Sequence, residues 1–308
     1  MKTKLFLFSG FLLVVFAFSF WQKAFLKGLI KVFLGKKEVI SSLNKASSIP
    51  AVLGEVKTLE VNFDFGEIKE ERGILAQGVF VYDLTNKKII FQKNPHLKLP
   101  SASTIKIVTA AIALDKGKLE EELTVNYFPT FVGESSMNLS FGEKFTLEEL
   151  LYGLLMVSGN DAAETIAQGI GGKRETFVKW MNEFAKKIGA KNTNFTTPSG
   201  LDEEGQYTTA YDLFLLGSYI FNHYPKILEI STTKEKYLPQ NDKHKAYFLR
   251  NKFLLLDQFP ILAAKPGLGE GGMLSLVALL EKEKRKILVV LIRTPSLRHD
   301  LDKILNLL

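Results

Sequence analysis

The chain has 308 residues, 46% of them hydrophobic and 24% charged, enough for one large or two modest globular units with a proper core. It holds no cysteine, which excludes disulfides and thiolate chemistry, and its four histidines (His96, His223, His244, His299) are scattered without metal-ligand spacing, so no metal and no other cofactor is expected. The net charge of +7 is local: residues 1–60 carry nine lysines against Glu38, Glu55 and Glu60, a balance of +6, which leaves +1 for the remainder and no electrostatic reason to bind nucleic acid.

Lys2 and Lys4 precede an apolar run from Leu5 to Trp21, broken only by Ser9, Gly10 and Ser19. Residues 1–21 read as a signal segment or a short membrane anchor. The small-residue patterns ending at Ala17 and Ser19 are poor cleavage sites, which favours an uncleaved anchor. Lys23, Lys27 and Lys31 then recur every four residues among Trp21, Phe25, Leu26, Leu29, Ile30, Phe33 and Leu34. That spacing predicts a basic amphipathic helix lying on a membrane surface, the alternative being a helix packed on the main domain. With the Ser-rich stretch 41–58 as a tether, residues 22–58 form a basic amphipathic segment and linker, and residues 59–308 the main domain. Lysines are more numerous after the apolar run than before it, which taken alone places the downstream side in the cytoplasm, but that rule weakens for long translocated domains.

In the main domain, Gln77 to Leu84 and Lys88 to Gln92 are strand-like runs joined by Asp83-Leu84-Thr85-Asn86, a hairpin. A loop from Asn94 to Pro100 delivers the chain to Ser103, where a helix is predicted to begin and run to Lys116, with Gly117 ending it. Thr146 and Glu149 make a capping-box pattern that opens a helix over 147–157. Ser158-Gly159-Asn160 breaks it, and further helices are expected over 161–168, 173–188 and 209–221. Leu274 to Leu280 and Lys286 to Ile292 read as strands, and 297–308 as a closing helix. Strands at both ends with helices between them predict one sheet built from both chain termini around a helical insertion.

Three short patterns carry the candidate chemistry: Ser103-Thr104-Ile105-Lys106 at a helix start, Ser158-Gly159-Asn160 between two helices, and Lys265-Pro266-Gly267 at the start of a C-terminal strand. Each recurs elsewhere by chance; Ser-x-x-Lys also occurs at Ser42–Lys45 and Ser231–Lys234. A serine one helical turn from a lysine suits a nucleophile whose proton passes to a neutral amine. In this order and placement, the patterns correspond to the Ser-x-x-Lys, Ser-x-Asn, Lys-Thr-Gly set of penicillin-binding proteins and class A β-lactamases, with proline in place of the threonine.

From Gln77 to Leu308 the chain resembles the D-alanyl-D-alanine carboxypeptidase family of low-molecular-weight penicillin-binding proteins. The run Leu150 to Ala163 is similar to that family's middle segment, as are Asn192-Thr193-Asn194-Phe195 with Pro198, Gly200-Leu201-Asp202, and Thr209-Ala210-Tyr211-Asp212-Leu213. The resemblance implies a β-lactamase/penicillin-binding transpeptidase-like fold of the mixed α/β (α+β) class, an antiparallel sheet flanked by helices plus an all-helical subdomain. It implies a serine-type carboxypeptidase that trims peptidoglycan pentapeptide stems through an acyl-enzyme. Ser103 would be the nucleophile and Lys106 its base, its pKa lowered by burial and by Lys265. Ser158 and Asn160 would relay the proton and hold the substrate amide. Lys265 would attract the terminal carboxylate, Gly267 would complete the third motif, and the Ser103 and Leu268 amides would form the oxyanion hole. β-Lactams would be covalent inhibitors. Because the substrate is made outside the cytoplasmic membrane, the resemblance places residues 40–308 there, held by the N-terminal segment, since the chain ends at Leu308 without the C-terminal domain and tail that relatives often add.

Pro266 departs from the family's threonine and removes a hydroxyl expected to bind the substrate carboxylate. That departure keeps open a degenerate, peptidoglycan-binding or regulatory module as the alternative. A β-lactamase is disfavoured, because no Glu-x-x-Leu-Asn pattern lies between Asn160 and Lys265 to supply a deacylation base.

Overall fold

The structure, a computed structural model, describes residues 73–308 apart from Glu134 and Asp202. The anchor, amphipathic segment and tether expected in residues 1–58 lie outside the described residues. In chain order the elements are β1 (Gly78–Asp83), β2 (Lys88–Lys93), α1 (Lys106–Lys116), β3 (Glu122–Thr124), β4 (Lys144–Thr146), α2 (Leu147–Met156), α3 (Asn160–Gly171), α4 (Arg174–Ile188), α5 (Ala210–His223), α6 (Pro225–Thr232), β5 (Glu235–Leu238), β6 (Tyr247–Arg250), β7 (Ile261–Leu268), β8 (Leu274–Lys282), β9 (Arg285–Thr294) and α7 (Leu297–Leu305).

Five strands make an antiparallel sheet in the order β2-β1-β9-β8-β7, so strands from both ends of the domain do meet. The β1–β2 turn is closed by Asp83, whose Oδ1 accepts from the amides of Thr85 (2.9 Å) and Asn86 (2.8 Å). The central strands are apolar on both sides because both faces are covered. Phe80, Tyr82, Leu288 and Val290 pack with Phe214 of α5, while Val79, Val81, Val289 and Leu291 pack with Leu301 and Ile304 of α7. Asp300 of α7 is buried and accepts from the amides of Leu75 (2.8 Å) and Ala76 (2.9 Å), which ties the beginning of the described domain to its last helix.

The helical insertion follows its local signals. Thr146 Oγ1 accepts from Glu149 N (3.2 Å) while Glu149 Oε2 accepts from Thr146 N (2.8 Å), the capping box read in the sequence. Helix α1 is buried from Lys106 to Ala113, all the way round, which makes it the centre of the helical part rather than a surface helix. It does not begin at Ser103 as an α-helix: a 3-10 turn, Ala102–Ile105, precedes it. Helix α6 and strands β3 to β6 were not legible. The strands are three or four residues long, too short for alternation to register, and α6 is a two-turn helix started by Pro225.

Candidate active site

The three patterns converge where α1, the start of α3 and the edge strand β7 meet. Ser103 lies in the 3-10 turn, whose three residues per turn set its side chain over Lys106. Lys106 is completely buried. Its Nζ donates to Ser103 Oγ (2.7 Å), to Asn160 Oδ1 (2.7 Å) and to the carbonyl oxygen of Ser199 (2.5 Å). Those three acceptors suit an ammonium. A neutral amine would keep two of them, Asn160 Oδ1 and Ser199 O, and turn its lone pair to the Ser103 hydroxyl.

Ser158 turns the chain between α2 and α3 with a left-handed backbone, φ +61. Asn160 then opens α3. Its backbone N donates to Ser135 O (2.8 Å) and its Nδ2 to Gly133 O (2.9 Å). Asp161 is buried and accepts from Ser136 Oγ (2.6 Å), Met137 N (2.9 Å) and Leu139 N (3.1 Å). A carboxylate at a helix N-terminus thus clamps the distant 136–139 loop beside Asn160. One turn on, Glu164 is buried against Arg174, with Nε 3.1 Å from both carboxylate oxygens, and burial pushes its carboxyl up despite that guanidinium.

Strand β7 forms the third wall. Lys265 is completely buried, and its Nζ donates to Ser158 Oγ (3.0 Å) and to Pro266 O (2.8 Å). It therefore lies behind Ser158, and its charge reaches the cleft through that hydroxyl. Burial, with Lys252 adding to it, holds the Lys265 ammonium down to about 7. The motif does not start the strand: it occupies the second half of β7, because Ile261 to Ala264 already pair with β8. Ala264 N donates outward to Ser231 Oγ (3.4 Å) and Gly269 N inward to Met273 O (2.9 Å). Alternation then turns the amide positions of Pro266 and Leu268 to the open edge. Proline at 266 accordingly sacrifices no ladder bond. The Leu268 side chain is exposed, which leaves its outward amide as the part that faces the cleft.

Two glycines from distant segments hold the serine turn. A Cβ on Gly267 would lie 2.9 Å from Ser103 N and from Ser101 O, and a Cβ on Gly200 would lie 2.3 Å from Ala102 O. Between them Ala102 adopts φ +49, a conformation a non-glycine residue keeps only when its surroundings enforce it. Sequence reasoning had Gly267 in its motif, but it named Gly200 within a run similar to the family's and gave Ser199 no role. It also missed Arg293. At the end of β9 this residue has φ +57, its N donates to Ser275 Oγ (3.1 Å), and Ser275 pairs with Gly267 across the sheet. The Arg293 guanidinium has no ion pair among the described residues, and nothing in its spacing announces it.

The D-alanyl-D-alanine carboxypeptidase family model matches residues 66–295. D-alanyl-D-alanine carboxypeptidase DacF of Bacillus subtilis is 36% identical over 190 residues, 60% of this chain and 48% of the relative. DacC of Escherichia coli is 33% identical over 234 residues, 72% of this chain and 58% of the relative. The chain thus spans about half the length of the curated relatives it matches. The crystal structure of a D-alanyl-D-alanine carboxypeptidase from Mycobacterium tuberculosis superposes with a TM-score of 0.69 at 26% identity, covering 75% of this chain and 90% of that one.

Proposed function

Because the chain belongs to the D-alanyl-D-alanine carboxypeptidase family, we propose that it is a serine-type carboxypeptidase that removes the terminal D-alanine of peptidoglycan pentapeptide stems through an acyl-enzyme. The observation that carries this reading is the Lys106 amine, completely buried and 2.7 Å from Ser103 Oγ. Ser103 Oγ attacks the carbonyl of the penultimate residue and its proton passes to neutral Lys106. The Ser103 and Leu268 amides receive the developing oxyanion. Asn160 holds the acyl side of the substrate, and Ser158, backed by Lys265, delivers a proton to the departing amine. Water then cleaves the ester, returning the Ser103 hydroxyl and a stem with a new carboxyl end. Lys265 and Arg293 provide positive charge for the terminal carboxylate. The same attack on a β-lactam ring leaves an acylated serine.

This substrate places the domain outside the cytoplasmic membrane, with residues 1–21 as its anchor. No helix among the described residues is long and apolar enough to cross a membrane. The test is incubation of the protein with a pentapeptide stem, measuring D-alanine, beside labelling with a fluorescent penicillin. A protein that neither releases D-alanine nor takes the label at Ser103 is the degenerate module that Pro266 keeps as the second reading.

Two expected outcomes sharpen the test. Pro266→Thr restores a hydroxyl beside the carboxylate site, and a hydrogen bond to a charged group is worth roughly 1.5–3 kcal/mol, so kcat/KM for the pentapeptide should rise about ten- to hundred-fold. An unchanged value would mean that Arg293 and Lys265 already satisfy the carboxylate. Lys265, held to about 7 in the fold, loses its proton there rather than near its ordinary 10.5, so kcat/KM should fall above pH 7, and Lys265→Arg should flatten the fall. The stability sign is opposite. Between about 7 and 10.5 the unfolded chain binds the proton that the fold has released, so the penalty is full below pH 7 and stability rises with pH through that window. Denaturant midpoints of wild type and Lys265→Met across pH 6–10, the range about those two values, check it: the two should converge as pH rises.

A further inference from the structure

Beyond the catalytic cleft, the segment that contacts Asn160 carries an unusual surface. Tyr127, Phe128, Phe131 and Phe141 are between 52% and 67% exposed, a concentration of apolar area that a soluble face rarely keeps without a ligand. The rings are grouped: Tyr127 and Phe131 have centroids 4.5 Å apart, and Phe141 lies 6.2 Å from Tyr127. Phe128 also lines a pocket of about 460 Å³ with Asn126, Gln168, Lys173, Arg174 and Glu175.

The lining suits an uncharged polar ligand. Arg174 is paired with Glu164 and Glu203 at 3.1 Å each, and the lining also holds one further residue of each sign, Lys173 and Glu175. Asn126 Nδ2 donates to Gln168 Oε1 at 3.1 Å, which leaves the Gln168 NH2 group and the Asn126 carbonyl oxygen without other hydrogen bonds among the described residues. A donor and an acceptor side by side next to an aromatic face match an acetamido group on a pyranose ring, whose apolar face stacks on the aromatic ring.

Position points the same way. Asn160, Glu164 and Gln168 recur every four residues on one stripe of α3, and eight residues of helix advance about 12 Å. With Lys265 and Ser158 on the leaving-group side, the acyl side of the substrate runs past Asn160 toward the 127–135 segment. The four stem residues that precede the released D-alanine span roughly 13–14 Å when extended. The far end of the stem, where it joins the glycan strand, therefore arrives at the pocket. We propose that this pocket and its aromatic rim form a saccharide subsite for the N-acetylhexosamine that bears the stem peptide. The inference rests on the carboxypeptidase reading.

The experiment compares D-alanine release from a free pentapeptide and from the same pentapeptide on its N-acetylated disaccharide, using the full chain, Phe128→Ala and Gln168→Ala. One stacked ring with its amide contacts is worth about a ten-fold preference. Wild type should prefer the disaccharide substrate by that factor, and each variant should lose the preference while keeping its rate on the free peptide. Equal wild-type rates on the two substrates overturn the proposal, as do variants that slow both alike. If neither substrate is turned over, the carboxypeptidase reading has failed, and titration with the peptide-free disaccharide decides the subsite separately: saturable shifts of the Gln168 side-chain amide resonances support it, and their absence overturns it. Binding of phosphatidylglycerol-containing vesicles that Phe128→Ala abolishes, with no disaccharide effect, would make the rim a lipid-facing surface and also overturns it.

Discussion

Replacing Ser103 by alanine is expected to lower D-alanine release from a pentapeptide stem by about 10⁴-fold or more and to abolish labelling by a fluorescent penicillin. Of the hydrogen-bond partners described for Lys106, Ser103 Oγ is the nucleophile; the other two are an amide oxygen and a backbone carbonyl. The competing Ser-x-x-Lys pattern at Ser231 is separated from such chemistry by the fold. Ser231 Oγ donates to Leu228 O (3.0 Å) and accepts from Ala264 N, while Lys234 is exposed and paired with Asp257 at 2.6 Å. The Ser103 turn itself is held by backbone packing against Gly200 and Gly267, so the variant should unfold at nearly the wild-type temperature. A mass shift located at Ser231, or a Ser103→Ala protein that still takes the label, would sink the assignment.

The second large effect is expected from Lys106→Met, which keeps the shape of the side chain and removes the amine. Acylation by penicillin should slow by about 10²–10⁴-fold, the usual contribution of a positioned base. Loss of the donor leaves Asn160 Oδ1 and Ser199 O without their lysine bond, which costs stability, while removal of an amine from a completely buried site returns some of it. The two effects oppose, so a modest change in Tm with a collapse in the second-order labelling rate is the expected signature. Labelling that proceeds within about three-fold of wild type would mean that the proton leaves by another route, with Ser158 and Lys265 the next groups to change.

The contrast between these two residues and Lys265 shows where sequence reasoning stops. Ser103 and Lys106 are three residues apart at the start of a helix, so their contact follows from local geometry. Lys265 was expected to attract the substrate carboxylate; in the fold it is completely buried and bonded to Ser158 Oγ and Pro266 O, and burial with Lys252 lowers its own ammonium. Its bond to Ser158 joins residues 107 positions apart, which no periodicity encodes.

By itself the sequence determined what short-range rules govern: the β1–β2 hairpin, the capping box at Thr146, the break at Ser158-Gly159-Asn160, the strands with fully apolar runs, and through its motifs the family to which the chain belongs. Only the tertiary structure decided that Ser199 supplies the third acceptor for Lys106, that Gly200 and Gly267 clamp the turn that presents Ser103, and that Arg293 reaches the same end of the sheet. The physical reason is range. Helix and strand signals act over a few residues, whereas a backbone carbonyl 93 positions away, or a glycine needed because another chain segment would touch its Cβ, is specified by packing alone.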